Sequence, residues 1–531
     1  MRRLLTVFSA LIALTGVSAQ TPARAPSLSP AANSARAAPS AAPATDEPSA
    51  AVRELAMDLR SIIGEPGWNE ADYGVLVVSL DRGDTIFSLN ADRPLAPASN
   101  MKLYSTAAAL YYLGPDFRFS TYLLADGEIE GGVLDGDLIL YGTGDPAISG
   151  RMLESTSATF DALADSLLAR GIREIRGDIV GDGSYFDDDW IGDGWKEDDR
   201  MAWYAAPVGA LMFGESMVSV RVLPAGEAGM PAEIRTAPAT LDLGIENLVE
   251  TVSSGSTRVR FEHTPTGLAV TGRIRGGHPG VARSIPVVNP ANYAASALYA
   301  TLEDRGIRVT GTVTSIRSPA DSPVGMAGGR ADSSPPRVLA IHRSPELAEI
   351  ISVTNHVSHN LFAEALLKTV GRVAFGDGSF AGGARAVEYF LECEALVDTA
   401  AVDQVDGSGL SRFNRVTPRT TIKLLDYMAR GDAWQEYFTS LPEAGSADGL
   451  RRMYDTAAEG NLRAKTGTIM NVSALSGYVT SADGERLAFS IMANDVPSTW
   501  RAKRTEDAIG ARLAEFERPA EPLGVVVVPG G

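Results

Sequence analysis

The chain of 531 residues contains one cysteine, Cys393, and five histidines. A single cysteine excludes an intramolecular disulfide, and we expect it to be a small buried side chain in an apolar helix. No two histidines have the H-x-x-x-H spacing, and no clustered carboxylates accompany them. His356 and His359 are three residues apart, but the sequence shows no third ligand beside them. We therefore expect no metal ion and no other cofactor.

Runs of basic residues and long apolar runs are also missing. The net charge is −19, and an acidic chain without a basic patch offers few contacts to phosphates, so we expect no nucleic-acid partner. The apolar run from Leu4 to Leu14 is shorter than the roughly 20 residues that a membrane span needs, and no later run is long enough. We therefore expect no transmembrane span.

The first residues have the pattern of a cleaved secretory signal peptide. Arg2 and Arg3 precede the apolar run, and the small residues Val17-Ser18-Ala19 follow it. The predicted signal peptide covers residues 1–19. We expect an exported protein, periplasmic or otherwise extracytoplasmic.

The length predicts two or three domains. Residues 20–50 are rich in Pro, Ala and Ser, with almost no large apolar side chains, which predicts a disordered tether. We assign one domain to residues 51–113 and 337–517. Residues 114–336 contain many short β-rich runs and form an inserted region, expected to be two domains with the inner one near 215–285. Residues 518–531 are a flexible tail.

The ends of the chain predict one shared antiparallel sheet with helices on its faces, an α+β fold. A helix is expected to begin at Ser99. The predicted strands of the sheet are Gly74–Leu80, Thr85–Leu89, Ala474–Val479 and Leu487–Ala493.

Ser99 and Lys102 form an S-x-x-K pair on this helix. Residues three apart on a helix are neighbours, so the lysine amine can take the proton of the serine hydroxyl and make it a nucleophile. The chain has only six lysines, and Lys102 alone has a serine three residues before it. This pair predicts nucleophilic catalysis by Ser99.

Two further motifs follow in chain order. Ser358-His359-Asn360 lies at a predicted junction of two helices, and Lys465-Thr466-Gly467-Thr468 precedes or opens a strand. Ser88-Leu89-Asn90 also matches S-x-N, but it lies inside a predicted strand, where a structural role is favoured.

The residue types suit acyl transfer. Ser99 would form an acyl-enzyme with Lys102 as the base, although the identity of the base is disputed among such enzymes. Ser358 and Asn360 would relay a proton to the leaving amine and hold the substrate amide. The Lys465 cation and the hydroxyls of Thr466 and Thr468 suit a substrate carboxylate. Gly467 would let the substrate backbone approach the strand.

The backbone N–H groups of Ser99 and Thr468 are the natural donors to an oxyanion. An effect of this kind contributes about 3 kcal/mol per donor.

In this order the three motifs resemble those of penicillin-binding proteins. Ser358 follows Ser99 by 259 residues, which leaves room for inserted domains that class A β-lactamases lack. The chain resembles, over residues 52–517, the D-alanyl-D-alanine carboxypeptidases/endopeptidases of peptidase family S13, the class C low-molecular-mass penicillin-binding proteins. Further matching segments are Gly142–Pro146, Tyr204–Val208, Asp406–Ser411 and Asp448–Met453.

The resemblance implies a β-lactamase-like transpeptidase domain with large β-rich inserted domains. It implies that the substrates are the D-Ala-D-Ala termini and D-alanyl cross-links of peptidoglycan stem peptides, and that β-lactams inhibit the enzyme covalently. It also implies that Asp406 and Ser408 shape the cleft.

The chain departs from the family pattern at two places. His359 stands where the family usually has Asp, and we expect this imidazole to have a structural role. Gly142-Thr143-Gly144 replaces a common Gly-Gly-Gly.

Two alternative functions stay open. The same constellation could serve a β-lactamase or an esterase, but the E-x-x-L-N pattern of a class A deacylating loop is absent. A wall-binding scaffold without catalytic activity is the other alternative. Nothing in a scaffold requires a nucleophile, a base and a carboxylate pocket together.

Overall fold

The computed structural model describes residues 48–65, 71–238, 244–324 and 335–518. The predicted signal peptide, nearly all of the predicted tether and all but the first residue of the predicted tail lie outside these ranges. By the density of their internal contacts the residues fall into two compact units. The larger unit comprises residues 101–390 and 404–413, and the smaller unit comprises residues 48–100, 391–403 and 414–518. The domain boundaries derived from the sequence stay predictions.

Helices and strands alternate irregularly along the chain. The helices are Ala50–Ile63 (α1), Met101–Leu113 (α2), Ala158–Ala169 (α3), Pro290–Asp304 (α4), Leu347–His356 (α5), Asn360–Phe375 (α6), Phe380–Cys393 (α7), Pro418–Arg430 (α8), Trp434–Thr439 (α9) and Thr499–Ala514 (α10). None of these helices in the described ranges has the length and hydropathy of a membrane span.

Most strands belong to the larger unit. The strands are Asp72–Ser79 (β1), Thr85–Leu89 (β2), Ser120–Glu130 (β3), Val133–Gly142 (β4), Glu174–Ile175 (β5), Ile179–Asp182 (β6), Met217–Leu223 (β7), Glu233–Ala237 (β8), Ile245–Val252 (β9), Arg258–Thr264 (β10), Gly267–Arg275 (β11), Val281–Pro286 (β12), Arg308–Val309 (β13), Val313–Ile316 (β14), Arg337–Arg343 (β15), Arg463–Ile469 (β16), Val472–Thr480 (β17) and Arg486–Asn494 (β18).

The smaller unit contains the predicted antiparallel sheet, with strand order β16-β17-β18-β1-β2. Leu475 on one face of the sheet shares a core with Leu59 of α1 and Ile509 of α10. Tyr478 points to the other face, because side chains alternate along a strand, and its hydroxyl donates to the carbonyl of Leu425 in α8 at 2.9 Å. The prediction that strands from both ends of the chain share one sheet covered by helices is therefore confirmed.

The larger unit is rich in strands, as the sequence predicts for residues 114–336. Strands β13, β5, β4, β3 and β15 form its main sheet, and β6 and β14 pair beside β4. Two three-stranded sheets have the orders β12-β7-β8 and β10-β11-β9. A common core joins these sheets to α3 and α4 through side chains such as Phe160, Val220 and Leu298.

Helix α2 is buried on nearly every side against α5 and α6. A helix that is apolar all round has to be enclosed, and the run Ala107-Ala108-Ala109 permits close helix approach. Lys102 lies in the first turn of this enclosed helix, so its ammonium group is carried into the interior.

Two local expectations are wrong. The regular α-helix begins at Met101 and not at Ser99, because residues Ala98–Asn100 form a single 3-10 turn. Cys393 is exposed rather than buried, since it is the last residue of α7 and lies beyond the buried Phe390 and Leu391.

Candidate active site

Ser99 belongs to the smaller unit and lies in the 3-10 turn Ala98–Asn100, where it is partly exposed. The segment before it is fixed by Asn494, which accepts from the Ala96 N–H at 2.8 Å and donates to the Ala96 carbonyl at 3.1 Å. Ala98 has a positive φ of 46°, which is rare for a residue with a side chain. The turn that carries Ser99 is therefore held by the end of a central strand.

The K-T-G-T motif forms most of β16, at the edge of the same sheet. A Cβ atom on Gly467 would lie 2.6 Å from the Pro97 carbonyl oxygen, so only glycine lets the strand lie this close to the turn that carries Ser99. The Lys465 side chain is buried, and its Nζ donates to the Thr466 carbonyl at 2.9 Å. Thr468 is exposed. Within the smaller unit, the strand that carries the K-T-G-T motif thus lies against the turn that carries Ser99.

Lys102 belongs to the larger unit and is fully buried. Its Nζ donates to Asn360 Oδ1 at 2.7 Å and to the Ser408 carbonyl at 2.8 Å. Burial lowers the pKa of Lys102 to about 7, although the carboxylates of Glu364 and Asp406 act in the opposite direction. A large fraction of the amine is therefore neutral near pH 7, the form that can accept a proton.

Ser358 and Asn360 lie where the sequence predicts them, at the junction between α5 and α6. Ser358 has a positive φ of 57°, a strained conformation for serine that costs on the order of 1–3 kcal/mol. The Asn360 side chain is fixed at both ends, because its Nδ2 donates to the Tyr204 carbonyl at 2.8 Å while its Oδ1 accepts from Lys102. The amide is thereby oriented with its oxygen towards the lysine.

The predicted cleft-shaping residues Asp406 and Ser408 are both fully buried in the larger unit. Asp406 accepts from the N–H groups of Gly409 at 2.7 Å and Ser411 at 2.6 Å, and from Trp195 Nε1 at 2.9 Å. These hydrogen bonds fix the backbone of the loop at residues 406–411. Ser408 then contacts Lys102 through its backbone carbonyl.

Glu364 is a buried carboxylate that the sequence analysis missed. Its two oxygens accept from the N–H groups of Gly407 at 2.6 Å and Ser408 at 2.8 Å. The pKa of Glu364 is raised to about 8, chiefly by burial and also by the Asp406 carboxylate, although these hydrogen bonds and Lys102 oppose the rise. The sequence did contain a signal for Glu364, since this carboxylate follows Asn360 by one helical turn and interrupts an apolar run.

His359, between Ser358 and Asn360, is also buried, and its Nε2 lies 3.0 Å from Glu215 Oε2. Burial lowers the pKa of His359, so the ring is neutral near pH 7 and donates its Nε2–H to the carboxylate. No sequence motif indicated Glu215, which lies 144 residues earlier.

Across the ranges that the structure describes, no three side chains among His, Cys, Asp and Glu are grouped as metal ligands. The expectation of no metal ion stays a prediction.

The sheet with its flanking helices and the three ordered motifs define a penicillin-binding-protein type of α+β enzyme. A penicillin-binding protein 4 (dacB) from Haemophilus influenzae has a crystal structure with a TM-score of 0.69 at 25% sequence identity, covering 87% of this chain and 98% of that one. This similarity confirms the predicted fold class.

The family of D-Ala-D-Ala carboxypeptidase 3 (S13) matches residues 55–516, and the chain belongs to this family. A D-alanyl-D-alanine carboxypeptidase from Actinomadura sp. (strain R39) is 36% identical over 506 residues, which cover 91% of this chain and 89% of that protein. The D-alanyl-D-alanine carboxypeptidase DacB of Haemophilus influenzae is 26% identical, covering 84% of this chain and 90% of its own. The family assignment from the sequence is confirmed, and the chain is an enzyme of the D-alanyl-D-alanine carboxypeptidase class.

The Asp406 loop provides a stability test. In Asp406→Asn an amide NH2 replaces one of two oxygens that face N–H donors, so we expect the unfolding free energy to fall by about 1–3 kcal/mol. Asp135→Asn, an exposed position in the same unit, is the control and should change it by less than about 0.5 kcal/mol. Calorimetric melting compares the two, and equal melting temperatures would contradict this role of Asp406.

Proposed function

We propose that the chain is a serine-type DD-peptidase that hydrolyses D-Ala-D-Ala termini and D-alanyl cross-links of peptidoglycan through an acyl-Ser99 intermediate. The observation that carries the proposal is the fully buried Lys102, whose pKa is lowered to about 7. An ordinary lysine stays protonated at neutral pH and cannot serve as a base. Lys102 lies three residues after Ser99 along the chain, and a large fraction of its amine is unprotonated near pH 7.

In the acylation step the Ser99 hydroxyl attacks the carbonyl of the penultimate D-alanine, and Lys102 accepts the hydroxyl proton. The hydrogen bonds from Lys102 to Asn360 and Ser408 hold the amine in one orientation. The N–H groups of Ser99 and Thr468 stabilise the oxyanion. The tetrahedral intermediate collapses and the peptide bond breaks, while the proton that Lys102 accepted passes through Ser358 to the leaving amine of the terminal D-alanine. Lys102 is then neutral again.

We assign recognition of the substrate carboxylate to strand β16. The Lys465 ammonium and the hydroxyls of Thr466 and Thr468 bind the terminal carboxylate, which a carboxypeptidase substrate always carries. Asn360 holds the substrate amide. In deacylation a water molecule attacks the acyl-Ser99 ester and Lys102 accepts a proton from it. Lys102 returns this proton to the Ser99 oxygen as the ester bond breaks, and the shortened peptide leaves with a free carboxyl group.

A β-lactam presents a strained amide and a carboxylate to the same groups, and we propose that it acylates Ser99. The Haemophilus influenzae protein has also been solved in complex with a β-lactam. Because peptidoglycan lies outside the cytoplasmic membrane, this function agrees with the export that residues 1–19 predict, and we propose a periplasmic or otherwise extracytoplasmic location.

Covalent labelling tests the nucleophile. We expect Ser99→Ala to abolish labelling by a fluorescent penicillin, read on a denaturing gel, because the attacking oxygen is gone. Ser88→Ala is the matched control: it changes the other S-x-N serine, an exposed residue in β2, and should leave labelling unchanged. Persistent labelling of Ser99→Ala would rule out the acyl-Ser99 mechanism. A wild-type adduct that is released rapidly would favour the β-lactamase alternative.

A substrate assay tests the reaction. The protein is incubated with a monomeric pentapeptide and with a cross-linked muropeptide dimer, and released D-alanine and monomer are measured. We expect D-alanine from the first and monomer from the second. Penicillin labelling without either product would contradict the peptidase function, and D-alanine without monomer would limit the activity to the carboxypeptidase reaction.

A further inference from the structure

His359 lies inside the S-x-N motif, and its imidazole contacts a carboxylate of the larger unit. Its Nε2 is 3.0 Å from Glu215 Oε2, and its ring packs against Phe362, with ring centroids 4.5 Å apart. Trp203 contacts the same ring edge-on at 5.8 Å. Only 2% of the His359 side chain is exposed, so the imidazole is enclosed by these neighbours.

Glu215 is itself firmly held. Arg151 donates to it twice, from Nε to Oε1 at 2.7 Å and from a terminal nitrogen to Oε2 at 3.1 Å. Burial alone would raise the pKa of Glu215, but the hydrogen bonds from His359 and Arg151 hold it at about 2. The carboxylate is therefore ionised at every pH at which the enzyme would work.

The backbone around Glu215 is strained. Glu215 and Ser216 have consecutive positive φ values of 59° and 55°, although neither is glycine. Each such residue costs on the order of 1–3 kcal/mol, and strain of this kind persists only where the surroundings enforce it. The Glu215 side chain reaches His359 from this strained segment.

The segment from Trp203 to Ser216 thus contacts the motif at two consecutive residues. Glu215 accepts from His359, and the Tyr204 carbonyl accepts from Asn360 at 2.8 Å. Ser358, which directly precedes these two residues, must be kept at its own positive φ of 57°. The two residues that follow it, His359 and Asn360, are anchored through their side chains and so restrain its backbone.

We propose that Glu215 is a positioning residue that acts through His359 to hold Ser358 and Asn360 for acyl transfer. This inference rests on the proposed function. The contact through which Glu215 acts is a charge-assisted hydrogen bond, because the His359 Nε2–H donates to an ionised carboxylate.

The test is a double-mutant cycle on the rate constant of acylation by fluorescent penicillin. We expect Glu215→Ala to lower the rate constant about 10- to 100-fold, since small displacements of catalytic groups have effects of this size. Glu215→Gln, whose carbonyl still accepts the Nε2–H, should lose clearly less. In a His359→Ala background Glu215→Ala should have no further effect, because the residue through which it acts is already missing.

The rate constant separates positioning from folding. Misfolded molecules lower the amount of protein that is labelled, but not the rate constant of the folded fraction. Glu174→Ala is the matched control: it removes another carboxylate of the larger unit that binds two arginines, Arg176 and Arg308, and should leave the rate constant unchanged.

Each result is decisive. A wild-type rate constant in Glu215→Ala, with or without a lower labelled amount, overturns the inference while the proposed function stands. Additive effects of Glu215→Ala and His359→Ala also overturn it, because Glu215 would then not act through His359. Absence of labelling in the wild-type protein overturns the proposed function and this inference together.

Discussion

The complete burial of the Lys102 amine is the constraint on which the site depends. A buried ammonium group without partners costs several kcal/mol, so the surroundings must either supply acceptors or let the group lose its proton. The larger unit does both. Asn360 and the Ser408 carbonyl accept from Nζ, and the pKa still falls to about 7. Glu364 and Asp406 accept hydrogen bonds from the loop that presents the Ser408 carbonyl. These two buried carboxylates therefore help to hold an acceptor for the Lys102 amine.

The sequence was informative where function is carried by side chains at short spacing. S-x-x-K, S-x-N and K-T-G could be found without a structure, and two pairs of strand sequences, each joined by a turn sequence, predicted the sheet that contains β16 and holds the turn of Ser99. The start of α2 was misplaced by two residues, because a 3-10 turn and an α-helical turn have the same residue pattern over so short a segment.

The remaining part of the site could not be predicted, because it consists of backbone groups and distant partners. Ser408 contacts Lys102 through its carbonyl, which every residue has, so its side chain gave no signal for this role. Tyr204 likewise acts through a carbonyl. Glu215 meets His359 across 144 residues, and only the folded β-rich region brings the two together. Part of that region therefore contacts the S-x-N motif directly, through Glu215 and Tyr204.

We propose that Lys102, whose pKa is lowered by burial, is the base for Ser99. The pH dependence of the rate constant for acylation by penicillin tests it most directly. Neutral amine is required, so the rate constant should be low in acid, rise with a midpoint at a pH of about 7, and level off above it. A rate constant that is constant from about pH 5 to pH 9, or that begins to rise only near the ordinary lysine pKa of about 10.4, would contradict the account.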